Sequence, residues 1–276
     1  MSPIFGMMQI YYYSGSCKNR KCYYLSSMFL SFSIPYEPIL FGIEINMHLI
    51  LEYLAFIIGF QYYRFLRKRG SDLISSTNRL SIIIGAIFGA LFLSRFIAFL
   101  ENPVLHYNQG WLSILNNKTI MGGLFGGLLG VELIKKYIGE KKSSGDLFTL
   151  PIIVGLIIGR LGCFLAGTNE FTYGIVTNSF LGMYLGDEYL RHPIALYEIV
   201  FLFLLFGFIK YLIKKNTLEN GMLFKIFMIS YFVFRFCIEY LKPNSFLVLG
   251  LSTIQYLCII CMFYYTKTIK SILSFK

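Results

Sequence analysis

The sequence predicts an all-α, polytopic membrane protein with seven transmembrane helices, its N-terminus outside and its C-terminus cytoplasmic. Three observations carry that prediction. Hydrophobic residues make up 56% of the 276 residues and charged ones only 14%, against roughly a quarter in soluble domains; mean hydropathy is +0.64. Apolar blocks of about 20 residues, the length that crosses a bilayer, recur from residue 46 to residue 266. The basic residues between these blocks alternate in number, as the excess of Lys and Arg in cytoplasmic loops requires.

Residues 1–45 form an N-terminal segment. Within it, residues 1–27 carry Lys18, Arg20 and Lys21 beside Cys17 and Cys22, with no cleavage-site pattern. They are expected to be disordered or untranslated, with Met28 as the true start. The seven spans follow at about 46–64, 81–101, 119–138, 147–167, 193–210, 222–241 and 246–266, and a basic tail occupies 267–276. The first loop holds Arg64, Arg67, Lys68, Arg69 and Arg79, and the second only Lys118. The third holds Lys135, Lys136, Lys141 and Lys142, and the fourth Arg191. Lys210, Lys214, Lys215 and Lys225 flank the fifth, Lys242 lies in the sixth, and Lys267, Lys270 and Lys276 are in the tail. The resulting series 5, 1, 4, 1, 4, 1, 3 puts the odd-numbered loops and the C-terminus in the cytoplasm.

A net charge of +11 invites a nucleic-acid reading, but the cations sit in short loops between apolar blocks, which excludes it. The six cysteines show no disulfide pattern. Cys258 and Cys261 form a C-x-x-C on an apolar helix without nearby histidines, and no metal site is expected.

Arg95, Arg160 and Arg235 lie inside spans. A charge at mid-membrane costs about 2.5–3.5 kcal/mol on insertion scales, so such residues face a cavity or a partner. Their spans run outward and each lies past the midpoint, in the outer half. Candidate acidic partners lie there too: Glu52, Glu198 and Glu239, the last one turn after Arg235. His192 marks the outer mouth of the fifth span, with Pro193 suited to a first helical turn. One reading makes Arg235–Glu239 a helix-bracing pair. The other makes the arginines a site for an anion entering from the outer leaflet, since the guanidinium fork suits phosphate. Gly122, Gly126 and Gly130, with Gly123 and Gly127, recur at fours on the third span, as do Gly85–Gly89 and Gly155–Gly159. That spacing serves close helix packing, and Gly126 and Gly127 are candidates for a floor beneath a ligand.

Four segments together resemble the prolipoprotein diacylglyceryl transferase family. They are Gly126-Gly127-Leu128-Leu129-Gly130-Val131, Gly159-Arg160-Leu161-Gly162-Cys163-Phe164, Arg191-His192-Pro193-Ile194-Ala195-Leu196-Tyr197-Glu198, and the stretch from Phe234-Arg235 through Glu239 to Asn244. Thr172-Tyr173-Gly174 adds a fifth, and the order holds over residues 46–266. The resemblance implies seven spans and transfer of a diacylglyceryl group from phosphatidylglycerol to the lipobox cysteine thiol of a prolipoprotein. The reaction takes place at the outer face of the bacterial cytoplasmic membrane, with release of glycerol phosphate and no metal or other cofactor. It implies that Arg160 and Arg235 bind the phosphate and that Glu239 orients Arg235. Arg95, Gly126 and Gly127 join the substrate site, and His192, Tyr197 and Glu198 line the entrance.

Six residues depart from the family pattern. Phe125 stands where the family has His, Cys163 where it usually has Asn, and Ile194-Ala195 where it has Ser-Gln; Lys242 replaces an arginine, and Glu52 lies near the place of a tyrosine. With no histidine at Phe125, His192 becomes the candidate base, or the arginines favour the thiolate while water takes the proton. Cys163 is read as a small filler on a packed helix. Two further readings stay open. A divergent paralogue with another acceptor or no catalysis would explain the substituted polar positions. A lipid or small-molecule transporter would be expected to show an internal repeat.

Overall fold

Each of the seven apolar blocks contains one helix in the computed structural model, which describes residues 34–70, 72, 74–101, 117–216, 218–244 and 248–274. The expectation for residues 1–27 falls outside the described residues. Helix α1 (Met47–Arg69) begins where the Asn46 side chain accepts the Leu49 N–H at 2.9 Å, and it ends on Arg67, Lys68 and Arg69 before Gly70. Cations in a last turn complement the helix dipole. Helix α2 (Ser76–Glu101) packs antiparallel against α3 (Ile120–Ile138), Gly85 meeting Gly130 and Gly89 meeting Gly126; α3 starts on a Thr119 cap and stops at Gly139 in the left-handed region, φ 71°. Helix α4 (Asp146–Ala166) runs into a short 3-10 turn at Gly167–Asn169. Helices α5 (Ile194–Lys215), α6 (Met222–Ile238) and α7 (Thr253–Tyr264) complete the set, and a short α8 (Thr266–Ser274) follows.

The all-α expectation needs one refinement. Two minimal antiparallel hairpins lie outside the helices. The first pairs β1 (Ile39–Leu40) with β2 (Ile43–Glu44), and the second pairs β3 (Met183–Tyr184) with β4 (Leu190–Arg191).

Among the described residues, four helical segments are long and apolar enough to cross a membrane: Met47–Arg69, Ser76–Glu101, Asp146–Asn169 and Ile194–Lys215. At 1.5 Å per residue, α1 is about 35 Å long, enough for a hydrocarbon core of about 30 Å. Helix α3 carries Glu132, Lys135 and Lys136, and α7 has only 12 residues, about 18 Å. The protein is therefore a predominantly helical membrane protein. Its outward faces are apolar, as lipid contact requires; Phe56, Phe88, Phe92, Phe203 and Leu204 are all exposed.

The core gathers where α6 packs among α4, α5 and α7. Phe227, Met228, Tyr231 and Phe232 are fully buried there, against Ile153, Leu202, Ile209 and Cys261. Close backbone approach joins α2 to α3. A Cβ on Gly89 would lie 2.2 Å from the Gly126 carbonyl oxygen, and one on Gly130 would lie 2.1 Å from that of Gly85. Only glycine permits such contact, which is the packing role the four-residue spacing predicts.

Buried polar groups tie the loop ends of these helices. Arg79 is buried, donates from Nε to Asp72 Oδ2 at 3.0 Å and from Nη1 to the Ser144 carbonyl at 3.0 Å, and pairs again with Asp72 Oδ1. Asp146 accepts the N–H groups of Gly221 and Phe224 at 2.5 and 3.0 Å, linking the start of α4 to that of α6.

Candidate functional site

Three helices deliver charge to one buried point. Glu198, on the second turn of α5, is fully buried. Its Oε1 lies 2.7 Å from Arg160 Nε of α4, and its Oε2 accepts from Arg235 Nη1 of α6 at 3.2 Å. The Tyr231 hydroxyl, one turn before Arg235, donates to Glu198 Oε1 at 2.5 Å. Arg235 also donates from Nη2 to Glu239 Oε2 at 2.8 Å. The i,i+4 spacing allows that contact, although the backbone tightens to 3-10 at Glu239–Leu241. Glu239 further accepts from Asn244 Nδ2 at 2.6 Å and faces Lys242 Nζ at 3.9 Å.

The formal charges do not balance. Arg160, Arg235 and Lys242 supply three cations and Glu198 and Glu239 two carboxylates, an excess of one positive charge among these five buried side chains, with the Glu101 carboxylate acting on Lys242 from beyond them. Removing charges from water costs several kcal/mol per ion. A cluster that brings two guanidinium groups together on one carboxylate is suited to an anionic ligand, because arginine forks match phosphate oxygens.

Beside this cluster Arg160 Nη1 approaches Cys163 Sγ at 3.7 Å, one turn further along α4. The same sulfur lies 3.6 Å from His48 Nε2, at the start of α1. His48 Nδ1 in turn lies 3.3 Å from Glu170 Oε1, just past the 3-10 turn. A small hollow of about 10 Å³ is bordered by Cys163, Tyr173, Pro193, Ile194 and Ala195. His192 precedes α5, and its Nδ1 and the Tyr197 hydroxyl are 3.0 Å apart. Arg191 is fixed by Asp187 at 2.7 Å and by the Gly174 carbonyl at 3.3 Å, with its guanidinium 4.9 Å from the centre of the Tyr173 ring.

The family model described as prolipoprotein diacylglyceryl transferase matches residues 38–269. The chain belongs to the prolipoprotein diacylglyceryl transferase family. Among its relatives is a phosphatidylglycerol–prolipoprotein diacylglyceryl transferase of Chlorobaculum tepidum, 31% identical over 192 residues, or 64% of this chain and 65% of that protein. One of the same name from Ehrlichia ruminantium is 38% identical over 115 residues, 39% of this chain and 43% of the relative. One from Dehalococcoides mccartyi is 28% identical over 245 residues, 81% and 89% of the two chains. In the first two cases the match spans less than two thirds of the relative's length.

Within this family member the sequence-derived candidates divide. Arg160, Arg235, Glu198 and Glu239 meet in one cluster, and His192 and Tyr197 meet each other at the head of α5. Arg95 stands apart: it is half-exposed on α2 and its Nη1 donates to the Leu91 carbonyl of its own helix at 3.2 Å. Glu52, a candidate partner for the arginines, pairs instead with Lys118. Gly126 and Gly127 face α2, against Gly89 and against Ala86 and Ala90. Phe125 is buried edge-on to Phe232 and Tyr264.

Three residues were missed. Lys242 was counted as a loop cation because it falls just past the sixth span, yet it is buried beside Glu239. His48 and Glu170 sit at the edges of their helices, and the His48–Cys163 contact joins residues 115 apart. The one available signal is chemical: a histidine, a cysteine and a glutamate all fall near the ends of apolar helices.

Proposed function

We propose that the protein transfers a diacylglyceryl group from phosphatidylglycerol to the lipobox cysteine thiol of a prolipoprotein at the outer face of the bacterial cytoplasmic membrane. The observation that carries this reading is the buried Arg160–Glu198–Arg235–Glu239–Lys242 cluster with its excess positive charge. Family membership and the names of the relatives support the same reaction.

In this reading the lipid phosphate lies against Arg160 and Arg235, and the acceptor thiolate attacks the adjacent glyceryl carbon. The carbon–oxygen bond to phosphate breaks, and glycerol phosphate leaves carrying the charge. The two guanidinium groups, already held by Glu198 and Glu239, stabilise that charge without reorganising. His192 and Tyr197 border the entrance used by the prolipoprotein. Seven spans cross the membrane, with the N-terminal side outside and α8 at the cytoplasmic face; the loop charges support this arrangement.

One observation favours a second reading. Phe125 is packed into the apolar core, so the third span offers no proton acceptor there. A family member that holds the lipid but transfers nothing would fit that packing. Expression in a bacterium depleted of its own transferase separates the two. Restored growth and lipoprotein maturation are expected. No restoration by a protein that reaches the membrane and retains phosphatidylglycerol would favour the second reading.

A further inference from the structure

The acceptor thiol needs a group to take its proton, because a thiol with an ordinary pKa of about 8.5 is mostly protonated at neutral pH. Phe125 cannot take the proton, and His192 is engaged by Tyr197. Cys163 lies between two environments. One side borders the hollow beside Pro193, Ile194 and Ala195. The other meets His48 Nε2 at 3.6 Å. Glu170 Oε1, 3.3 Å from Nδ1, favours the tautomer in which Nδ1 carries the hydrogen, and in that tautomer Nε2 presents its lone pair to sulfur. Arg160 Nη1, 3.7 Å from the same sulfur, favours negative charge on it. This is the order in which a nucleophile, a base and an orienting carboxylate are arranged for proton removal. Helix packing holds it: a Cβ on Gly162 would sit 3.3 Å from His48 Cδ2 and 3.2 Å from Leu51 Cβ, so the glycine brings α4 close against α1 at the imidazole.

We propose that Cys163, His48 and Glu170 form a relay that carries the proton of the acceptor thiol away from the reacting centre. The inference rests on the transfer reaction proposed above. The hollow, about 10 Å³, has room for one water; the acceptor thiol approaches from that side, and its S–H proton passes through this water to Cys163 Sγ as the Cys163 proton passes to His48 Nε2. The imidazolium is held by Glu170, and His48, only partly buried, returns its proton to water on the outer side. The acceptor thiolate then forms the S–C bond while the C–O bond to phosphate breaks. No oxidant, metal or covalent enzyme intermediate is needed, and Cys163 ends as it began. Because Arg160 touches both Cys163 and Glu198, thiol and phosphate are brought to adjacent places, which is the positioning a two-substrate reaction requires.

The test uses purified full-length protein in phosphatidylglycerol vesicles with a lipobox peptide, reading thioether product by mass. Relative to wild type, His48→Gln and Cys163→Ala are expected to lower turnover by about a hundredfold or more, the range of a lost general base, with the KM for lipid little changed. Cys163→Ser keeps a group that both accepts and donates a proton, and should recover at least tenfold over Cys163→Ala. The turnover of wild type should fall toward acid as His48 becomes protonated, and His48→Gln should lack that limb. The charged and titratable groups facing His48 are Cys163 on α4, Glu170 beyond it, and Glu52 one turn along α1. Phosphatidylglycerol retention and thermal stability of each variant report folding independently. Active wild type with equally active, folded His48→Gln and Cys163→Ala would overturn the relay alone. Equal activity of the serine and alanine variants would also overturn it. Wild type that makes no thioether would overturn the transfer reading and the relay with it.

Discussion

Glu198→Gln changes one charge at the centre of the site and leaves its shape almost intact. The carboxylate is fully buried, 2.7 Å from Arg160 and 3.2 Å from Arg235. With it, three cations face two carboxylates; without it, three face one, so the excess rises from one positive charge to two. Arg235 keeps Glu239 at 2.8 Å, whereas Arg160 loses its carboxylate. The Tyr231 hydroxyl can still donate to the amide oxygen, but the amide NH2 then faces Arg235 Nη1, donor against donor, so that hydrogen bond is lost together with the charge. Breaking a buried ion pair from one side costs about 3–5 kcal/mol. At about 2–4 °C per kcal/mol, the apparent Tm should fall by about 6 °C or more. Thermal unfolding in nanodiscs of phosphatidylcholine should show the full loss. Nanodiscs of phosphatidylglycerol should show a smaller one, because a bound anion offsets the added charge. An unchanged Tm in the neutral lipid would refute the buried-pair argument, and equal losses in both lipids would refute the anion site.

The glycine contacts predict opposite outcomes at neighbouring positions. Gly126→Ala would press a Cβ to 2.3 Å from the Gly89 carbonyl oxygen and should lower stability by about 1–3 kcal/mol or more; Gly127→Ala meets atoms only at 3.6 and 3.7 Å and should stay within about 1 kcal/mol. At the loop between α1 and α2, burial disfavours the charge on Asp72, but Arg79 and the Ile74 N–H hold its carboxyl below the usual range. Its stabilisation is complete above the unfolded value, about pH 4, and is lost as pH falls through the lowered folded value. Asp72→Asn should therefore lower the unfolding midpoint clearly at pH 7 and much less at pH 2, and equal effects at both would contradict the assignment. Accessibility labels at Lys141 and at the C-terminus should report the cytoplasm and one at Asn178 the outside, and finding Lys141 and Asn178 on one side would sink the seven-span arrangement.

Much of this architecture was legible because apolar solvent imposes strict rules. A charge inside an apolar span must find a partner, so Arg160, Arg235, Glu198 and Glu239 could be drawn together before any coordinates were known. Arg95 obeyed the same rule differently: half-exposed, it reaches a carbonyl of its own helix. Helix ends were harder. The first span was placed at 46–64, while α1 continues to Arg69 because basic side chains suit a last turn. The last was placed at 246–266, while α7 begins at Thr253, where Ser252 and Gln255 form a reciprocal cap. Lys242 and Arg79 were assigned to loops by position, and both are buried through partners that hydropathy does not register. The His48–Cys163–Glu170 chain depends on the register of α1 against α4, which no local pattern encodes.

The central claim is tested most directly by giving the purified protein a lipobox peptide in vesicles of phosphatidylglycerol or of phosphatidylcholine and weighing the peptide afterwards. A diacylglyceryl thioether on the cysteine, with glycerol phosphate released, is expected from phosphatidylglycerol alone, and it should be lost with Arg160→Ala or with serine in place of the peptide cysteine. An unmodified peptide in phosphatidylglycerol, from protein that is folded and membrane-embedded, would contradict the account.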